Sequence, residues 1–116
     1  MRIVKSIKNF LLFCNMDSKK GCCVYITTNV SHSVLYTGVT SDVVRRVFYH
    51  KSKTYPNSFT AKYDCAKLVY YAFYPTIEAA IAAEKVIKSG NREYKIQIIN
   101  ALNPQWNELY DDLTKD

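Results

Sequence analysis

The fold of this chain is decided by residues 22–39, whose sequence is CCVYITTNVSHSVLYTGV. The first seven of these residues are rich in β-branched and aromatic side chains, which is typical of a β-strand. The polar run 29–33 predicts a hairpin loop, and residues 34–39 predict the partner strand. Each strand carries one tyrosine, Tyr25 or Tyr36, and Gly38 leaves room for a close backbone approach. If both rings lie on one face, their hydroxyl groups can converge on one phosphate.

The rest of the chain predicts one small α+β domain, a sheet with helices packed around it, over residues 21–113. Thr40-Ser41-Asp42 offers capping side chains for a helix over 43–51, and residues 52–64 are predicted to be mostly loop. Residues 67–74 predict a third strand, largely apolar and central. Three further helices are expected: 77–89, capped by Thr76 and ended by Gly90 in the C′ position; one capped by Asn91 that reaches residue 101; and a short one opened by Pro104.

Composition narrows the class of protein. The chain has 116 residues and a formal charge of +6, with ten Lys or Arg against four acids between residues 43 and 95. This basic middle attracts polyanions, although a solvated basic surface explains the charge equally well. The four cysteines have no zinc spacing and predict reduced thiols in a cytoplasmic protein, and no stretch predicts a membrane span. Residues 1–20 share no pattern with the rest and are interpreted as an extension that is disordered, forms an extra helix, or precedes a true start at Met16; residues 114–116 are a tail.

Arg46 and His50 are candidates for phosphate chemistry. They lie one turn apart on the predicted helix, away from an apolar stripe of Val44, Val47 and Phe48. A guanidinium group and an imidazole together can neutralise a phosphate and handle a proton. The alternative is an exposed helix surface with no chemical role.

Glu84 is a candidate metal ligand. It lies in a stretch of small and apolar residues on the predicted helix 77–89, and acids are rarely buried without a partner or a metal. The competing interpretation is a surface ion pair with Lys88 at i,i+4. Further basic side chains could follow a nucleic-acid backbone, with neighbouring tyrosines as stacking faces, or could simply be solvated: Arg45, Lys62, Lys85, Lys88, Arg92 and Lys95.

Taken in order, these motifs resemble the GIY-YIG nucleases. Cys23-Val24-Tyr25 stands at the GIY triplet, Tyr36-Thr37-Gly38 stands at YIG, and Arg46 and Glu84 fall at the family's arginine and glutamate positions. The resemblance is to the small single-domain bacterial type and to the N-terminal domain of the excision-repair nuclease subunit, and it covers nearly all of residues 22–109. Two departures are Cys23, in place of the first glycine, and Val39, where some members carry a lysine.

The resemblance implies a three-stranded antiparallel sheet flanked by helices and metal-dependent hydrolysis of phosphodiester bonds. Glu84 would hold one Mg²⁺ or Mn²⁺, Arg46 would stabilise phosphoryl charge, and Tyr25 or Tyr36, helped by His50, would orient or deprotonate water. The substrate is expected to be nucleic acid, DNA in preference to RNA, selected by structure rather than sequence. No small-molecule cofactor is expected, and the chain is expected to be a monomer or weak dimer. The alternatives are a binding module of the same fold without turnover, and a small protein-interaction domain.

Overall fold

The computed structural model describes residues 21–114. The predicted extension and the last two residues of the predicted tail lie outside this range. The helices and strands, in chain order, are β1 Cys22–Thr28, β2 Leu35–Thr40, α1 Val43–Ser52, α2 Phe59–Lys62, β3 Lys67–Tyr74, α3 Ile77–Ser89, α4 Arg92–Leu102 and α5 Tyr110–Thr114.

Side-chain caps fix the starts of the three longest helices where the sequence predicts them. Asp42 accepts a hydrogen bond from the backbone N–H of Arg45, and Thr76 and Asn91 cap α3 and α4 in the same way. An oxygen at the N-cap satisfies one of the four free N–H groups of the first turn. Gly90, however, is not left-handed, since its φ is −77°. A Cβ there would lie 2.6 Å from Cδ2 of Tyr94, so glycine is required for space.

One local prediction was incomplete and another was wrong. Residues 52–64 are mostly loop, as predicted, but they also contain the short helix α2, which Ser58 caps by accepting from the N–H of Ala61. The final helix begins at Tyr110 instead of Pro104. Trp106 has a φ of 55°, a left-handed conformation that a right-handed helix cannot include. The chain therefore turns after Pro104 before it becomes helical again.

The three strands form an antiparallel sheet in the order β2-β1-β3. The prediction of a central β3 was wrong, because β1 pairs on both sides. β3 is as apolar as a central strand since helices cover both of its faces, with Leu68 and Val69 fully buried. Its free edge is also covered: Leu68 donates its N–H to the carboxylate of Glu108 and accepts from the N–H of Leu109. These bonds occupy the start of the edge, where another chain would otherwise find free backbone groups.

Alternation along the strands divides the core into two. Tyr25 of β1 packs with Val43 and Val47 of α1 and with Leu113 of α5 on one face. Val24 and Ile26 face the other way, against α3 and α4. In α1 the buried residues are Val43 and Val47, and Phe48 is exposed, which corrects the predicted stripe. Within residues 21–114 no helix is both long and apolar enough to cross a membrane.

Candidate active site

Tyr25 and Gly38 lie opposite each other in the β1–β2 ladder. The phenol ring of Tyr25 crosses directly over Gly38, where an added Cβ would lie only 2.5 Å from the Tyr25 hydroxyl oxygen. Side chains on paired strands meet on one face of the sheet, and a residue without a side chain lets a ring lie flat across the partner strand. The close approach predicted at Gly38 is therefore made by Tyr25, within the protein.

His50 joins Tyr25 to the segment after α1. Its Nε2 is 2.9 Å from the Tyr25 hydroxyl, and its Nδ1 is 2.9 Å from Oγ1 of Thr60. Oγ1 of Thr60 is in turn 3.2 Å from Oγ of Ser58, the cap of α2. A neutral imidazole donates from one nitrogen and accepts at the other, so the two hydroxyl partners hold the ring in one orientation and allow either tautomer.

Burial and one cation decide the charge state of this group. Burial and, to a smaller extent, the positive charge of Arg46 together lower the pKa of His50 from 6.5 to about 4. His50 is therefore neutral at neutral pH. Burial raises the pKa of Tyr25 well above its usual value, and nearby Tyr36 adds to the rise, while Arg46 opposes it. Tyr25 consequently keeps its proton.

A cleft of about 370 Å³ opens beside this group. Its lining combines phenol, imidazole, guanidinium and hydroxyl groups, which come from β2, α1, the segment before α2 and the first turn of α2. The lining residues are Tyr36, Arg46, Tyr49, His50, Tyr55, Ser58, Phe59 and Thr60. Arg46 is exposed and can offer its planar fork of N–H donors to a phosphate oxygen in this space.

Tyr36 and Tyr25 differ in their access to the cleft. Tyr36 is partly buried, lines the cleft and lies with its ring centroid 5.7 Å from that of His50, edge to face. Tyr25 is fully buried behind it, with the two tyrosine centroids 6.2 Å apart. A molecule in the cleft therefore meets the phenol of Tyr36 directly and reaches Tyr25 through His50 and Arg46, which both interact with the Tyr25 hydroxyl.

Glu84 is not part of this lining. Its helix α3 packs against the face of the sheet opposite to α1, through Ala80 and Ile87. Its carboxylate pairs with the ammonium group of Lys88 at 3.0 Å, which is the ion pair that the i,i+4 spacing allows, and its side chain is only 14% exposed. The structure thus brings Tyr25, Tyr36, Arg46 and His50 together and leaves Glu84 on a separate helix. Its role as a metal ligand stays a prediction.

The predicted nucleic-acid-binding residues also separate in space. Arg45 and Lys62 are exposed on α1 and α2, the helices beside the cleft, and Arg45 donates from Nε to the hydroxyl of Tyr49 at 2.6 Å. The others lie on α3 and α4, on the opposite face of the sheet. There Lys88 pairs with Glu84, Arg92 donates to the carbonyl of His32, and Lys95 donates to the carbonyl of Gly90; Lys85 is exposed.

Sequence reasoning missed Thr60 as a partner of His50. Its hydroxyl is buried, and it reaches the imidazole from a segment that was predicted to be loop. The Ser-x-x-Ala pattern of Ser58 to Ala61 was the available signal, because a serine before three helix-compatible residues can cap a short helix. Nothing in the spacing between Thr60 and His50 indicates that their side chains meet.

The geometry agrees with a known family of nucleases. The family model of the GIY-YIG catalytic domain matches residues 21–97. The chain belongs to the GIY-YIG family. No match was found among curated proteins or among solved structures. The predicted family and the predicted three-stranded α+β fold are confirmed, while the particular likeness to the excision-repair subunit stays a prediction. A GIY-YIG domain is a nuclease domain that acts on nucleic acid, and nucleases of this family generally use a divalent metal.

The two departures from the family pattern are accommodated by the fold. Cys23 is fully buried against the α1 side of the sheet and is not among the described residues with a positive φ, so the missing glycine causes no backbone strain. Val39 packs with the second core, on the side of α3 and α4. Its side chain therefore points away from the face that carries Tyr25.

The donor groups present suit only a metal that keeps most of its water. Within residues 21–114 no group of three or more His, Cys, Asp or Glu side chains is placed to hold an ion. Mg²⁺ commonly binds one or two carboxylates and completes its shell with water and substrate phosphates. The single carboxylate of Glu84, with its hard oxygen atoms, fits that mode of binding. It does not fit a metal held by protein ligands alone.

Proposed function

We propose that this protein is a divalent-metal-dependent endonuclease that hydrolyses phosphodiester bonds of nucleic acid. It prefers DNA to RNA and selects its substrate by the structure of the nucleic acid rather than by its sequence. The observation that carries the proposal is the cleft itself. Within a GIY-YIG domain, the exposed guanidinium group of Arg46 shares one cavity with the phenol of Tyr36 and the neutral imidazole of His50. A phosphate bound by Arg46 would have both other groups beside it.

The roles follow from access and charge. Tyr36 borders the cleft and orients the attacking water, whereas Tyr25 is buried and keeps its proton, so Tyr25 acts by holding His50. His50 is neutral at neutral pH, and its two ring nitrogens already meet the hydroxyl groups of Tyr25 and Thr60, so it supports the phenols of the site and does not itself take the proton of the water. Arg46 stabilises the negative charge that develops on the phosphoryl oxygens. Thr60 fixes the ring of His50 from the other side.

Glu84 would be the protein ligand of the metal, and the metal would supply stabilisation of the leaving oxygen. The support is family membership, the mostly buried carboxylate, and the packing of α3 against β2, the edge strand that carries Tyr36. The ion pair with Lys88 would have to open when the metal binds.

Substitution of Tyr36 tests the cleft. Purified protein is incubated with branched, single-stranded and duplex DNA and RNA in Mg²⁺, Mn²⁺ or chelator. We expect metal-dependent cleavage, and we expect Tyr36→Phe to reduce its rate by about 10²-fold or more, the usual size of a lost water-orienting or proton-handling group. Tyr55→Phe, at the more exposed wall of the same cleft, should retain most of the activity. Equal losses in the two variants would contradict the assignment of Tyr36.

Substitution of Glu84 tests the metal site. Glu84→Gln should bind nucleic acid as well as the parent protein or better, because one negative charge is gone, and should fail to cut. Glu78→Gln, on the exposed first turn of the same helix, is the matched control and should cut normally. Cleavage by Glu84→Gln at the parent rate would place the metal elsewhere.

A second candidate function is a nucleic-acid-binding module without turnover. The observation that favours it is the position of Glu84 on α3, paired with Lys88 and outside the lining of the cleft. Parent protein that binds these substrates and never cuts any of them with either metal would establish this alternative.

A further inference from the structure

Three exposed aromatic rings lie in the cleft or directly beside it. Tyr55, Phe59 and Tyr63 are 61%, 46% and 50% exposed, respectively. We call these three residues the aromatic rim. Tyr55 packs edge to face on Tyr49 with ring centroids 5.6 Å apart, and Phe59 lies 4.7 Å from Tyr63 and 5.8 Å from Tyr36. Large rings are seldom left in water together unless the surface binds something.

The rim is continuous with the candidate site. Tyr55 and Phe59 are themselves part of the cleft lining, together with Arg46. Through Phe59 the rings form a series that leads outward from Tyr36 to Tyr63, at the end of α2. A chain whose phosphate lies at Arg46 would therefore place its neighbouring nucleotides against these rings.

The charges beside the rim suit a phosphodiester backbone. Arg45 is exposed on α1, and Lys62 is exposed on α2, the helix that also carries Phe59. Neither side chain makes an ion pair among residues 21–114. The guanidinium group of Arg45 lies over the ring of Tyr49, 5.5 Å from its centroid. Alternating cations and aromatic rings bind single strands, because the cations follow the phosphates while successive bases stack on the rings.

We propose that the aromatic rim is a stacking site for unpaired bases on either side of the phosphate held at Arg46, so that the substrate is single-stranded or locally unpaired nucleic acid. The proposal rests on the proposed function for the position of the phosphate. In a duplex the faces of the bases are already stacked on one another and cannot cover the rings of Phe59 and Tyr63. An unpaired strand can cover them, and burial of the rings then adds to its affinity.

Binding in chelator tests the proposal without cleavage. Fluorescence anisotropy is measured with four labelled probes of equal length: single-stranded DNA, single-stranded RNA, duplex DNA, and a single strand of abasic sites that keeps the phosphates and lacks the bases. The full chain should bind the two single strands more tightly than the duplex or the abasic strand. The ratio of the dissociation constants for the single-stranded DNA and RNA probes shows whether the protein prefers deoxyribose or ribose.

Phe59→Ala and Tyr63→Ala should each weaken binding of the single strands by about 5- to 150-fold, the equivalent of about 1–3 kcal/mol per stacked base. Binding of the duplex and abasic probes should change less than about twofold. Phe59→Leu keeps an apolar contact with Tyr36 and should still lose affinity, whereas Phe59→Trp should retain it. The control is Phe48→Ala, an equally exposed ring on α1 that does not line the cleft, which should bind all probes as the parent does.

Three results would overturn the proposal: tighter binding of duplex than of single strand by the parent, equal losses for all four probes in the rim variants, or no loss for the single strands. Rim variants that bind every probe normally but abolish self-association in sedimentation would assign the rim to a protein contact instead.

The stacking site and the nuclease function can be refuted separately. Base-dependent binding without cleavage would refute the nuclease function alone, and cleavage by a parent whose rim variants bind normally would refute the stacking site alone.

Discussion

His50 is the residue whose state can be measured most directly. Its pKa of about 4 has two causes, burial and the charge of Arg46. Removal of the charge in Arg46→Gln should therefore raise the pKa of His50, toward the ordinary value near 6.5. The measurement is an NMR titration of the imidazole carbon-bound protons between pH 3.5 and 8, in which the parent resonance should move only near the acidic end.

Arg45→Gln is the matched control for this titration. Arg45 neighbours Arg46 in sequence, but its guanidinium group is held by Tyr49 on the exposed side of α1. The pKa of His50 should not change in Arg45→Gln, and equal shifts in both variants would contradict a specific effect of Arg46. The sign for stability follows. The pKa of His50 is lower in the folded protein than in the unfolded chain, so protonation favours the unfolded chain. The contribution of His50 to the free energy of unfolding is therefore complete above pH 6.5 and is lost as the pH falls from 6.5 to about 4.

At the residue scale, the sequence predicts those contacts of the candidate site that depend only on the geometry of a single helix or hairpin. Tyr25 and Tyr36 share a face because alternation in a short hairpin leaves little choice, and Arg46 and His50 are one helical turn apart on any helix. Thr60 could not be predicted as a partner of His50, because its contact depends on the path of a long connection. Glu84 could be placed on its helix from the sequence, but the face on which that helix packs depends on how the whole sheet is covered.

At the element scale, Asn103 connects the end of α4 to the sheet. Its side-chain amide donates to the carbonyls of Val69 and Asn107, and its oxygen accepts from the N–H of Asn107. Asn103→Ala should leave the buried carbonyl of Val69 without this partner, remove the two part-buried bonds to Asn107, and lower the free energy of unfolding by about 2–3 kcal/mol in urea denaturation. In Asn107→Ala the backbone partners remain and the side chain is exposed, so the change should stay within about 0.5 kcal/mol. Similar losses in both variants would contradict this role.

The order of the strands could not be predicted from the sequence, because β3 is an edge strand with the composition of a central one. An apolar run predicts burial on both faces, and burial on both faces normally means a central strand. Here helices cover both faces of an edge strand, and residues 108 and 109 hydrogen-bond to its free edge. The helix starts at Thr76 and Asn91 were predictable, by contrast, because an N-cap depends only on the adjacent turn.

At the scale of the whole molecule, the basic residues occupy two faces with different expected roles. Lys62 is on α2, beside the cleft. Lys95 is on α4, which packs on the other side of the sheet, and its ammonium group donates to the carbonyl of Gly90. Substitution of either lysine by Gln removes one positive charge. Lys62→Gln should reduce the slope of log K against log salt by about 0.7–0.9, the contribution of one phosphate contact, and Lys95→Gln should leave it unchanged.

The slope is measured by anisotropy between about 50 and 200 mM salt with a single-stranded probe. Equal slopes for the two variants would mean that the polyanion does not distinguish the faces of the sheet. A reduced slope in Lys95→Gln alone would place the nucleic acid over α4, far from Tyr36 and Arg46.

Leu113 has a consequence for the order in which the molecule is made. It is buried in the same cluster as Tyr25 and Val47, on the face of the sheet that carries the cleft. Tyr25 leaves the ribosome early and Leu113 late, and translation at about 5–20 residues per second separates them by on the order of 10 s. During that interval the face that supports His50 lacks one of its buried side chains. The packing that holds Tyr25 beside His50 is therefore complete only after α5 has been synthesised.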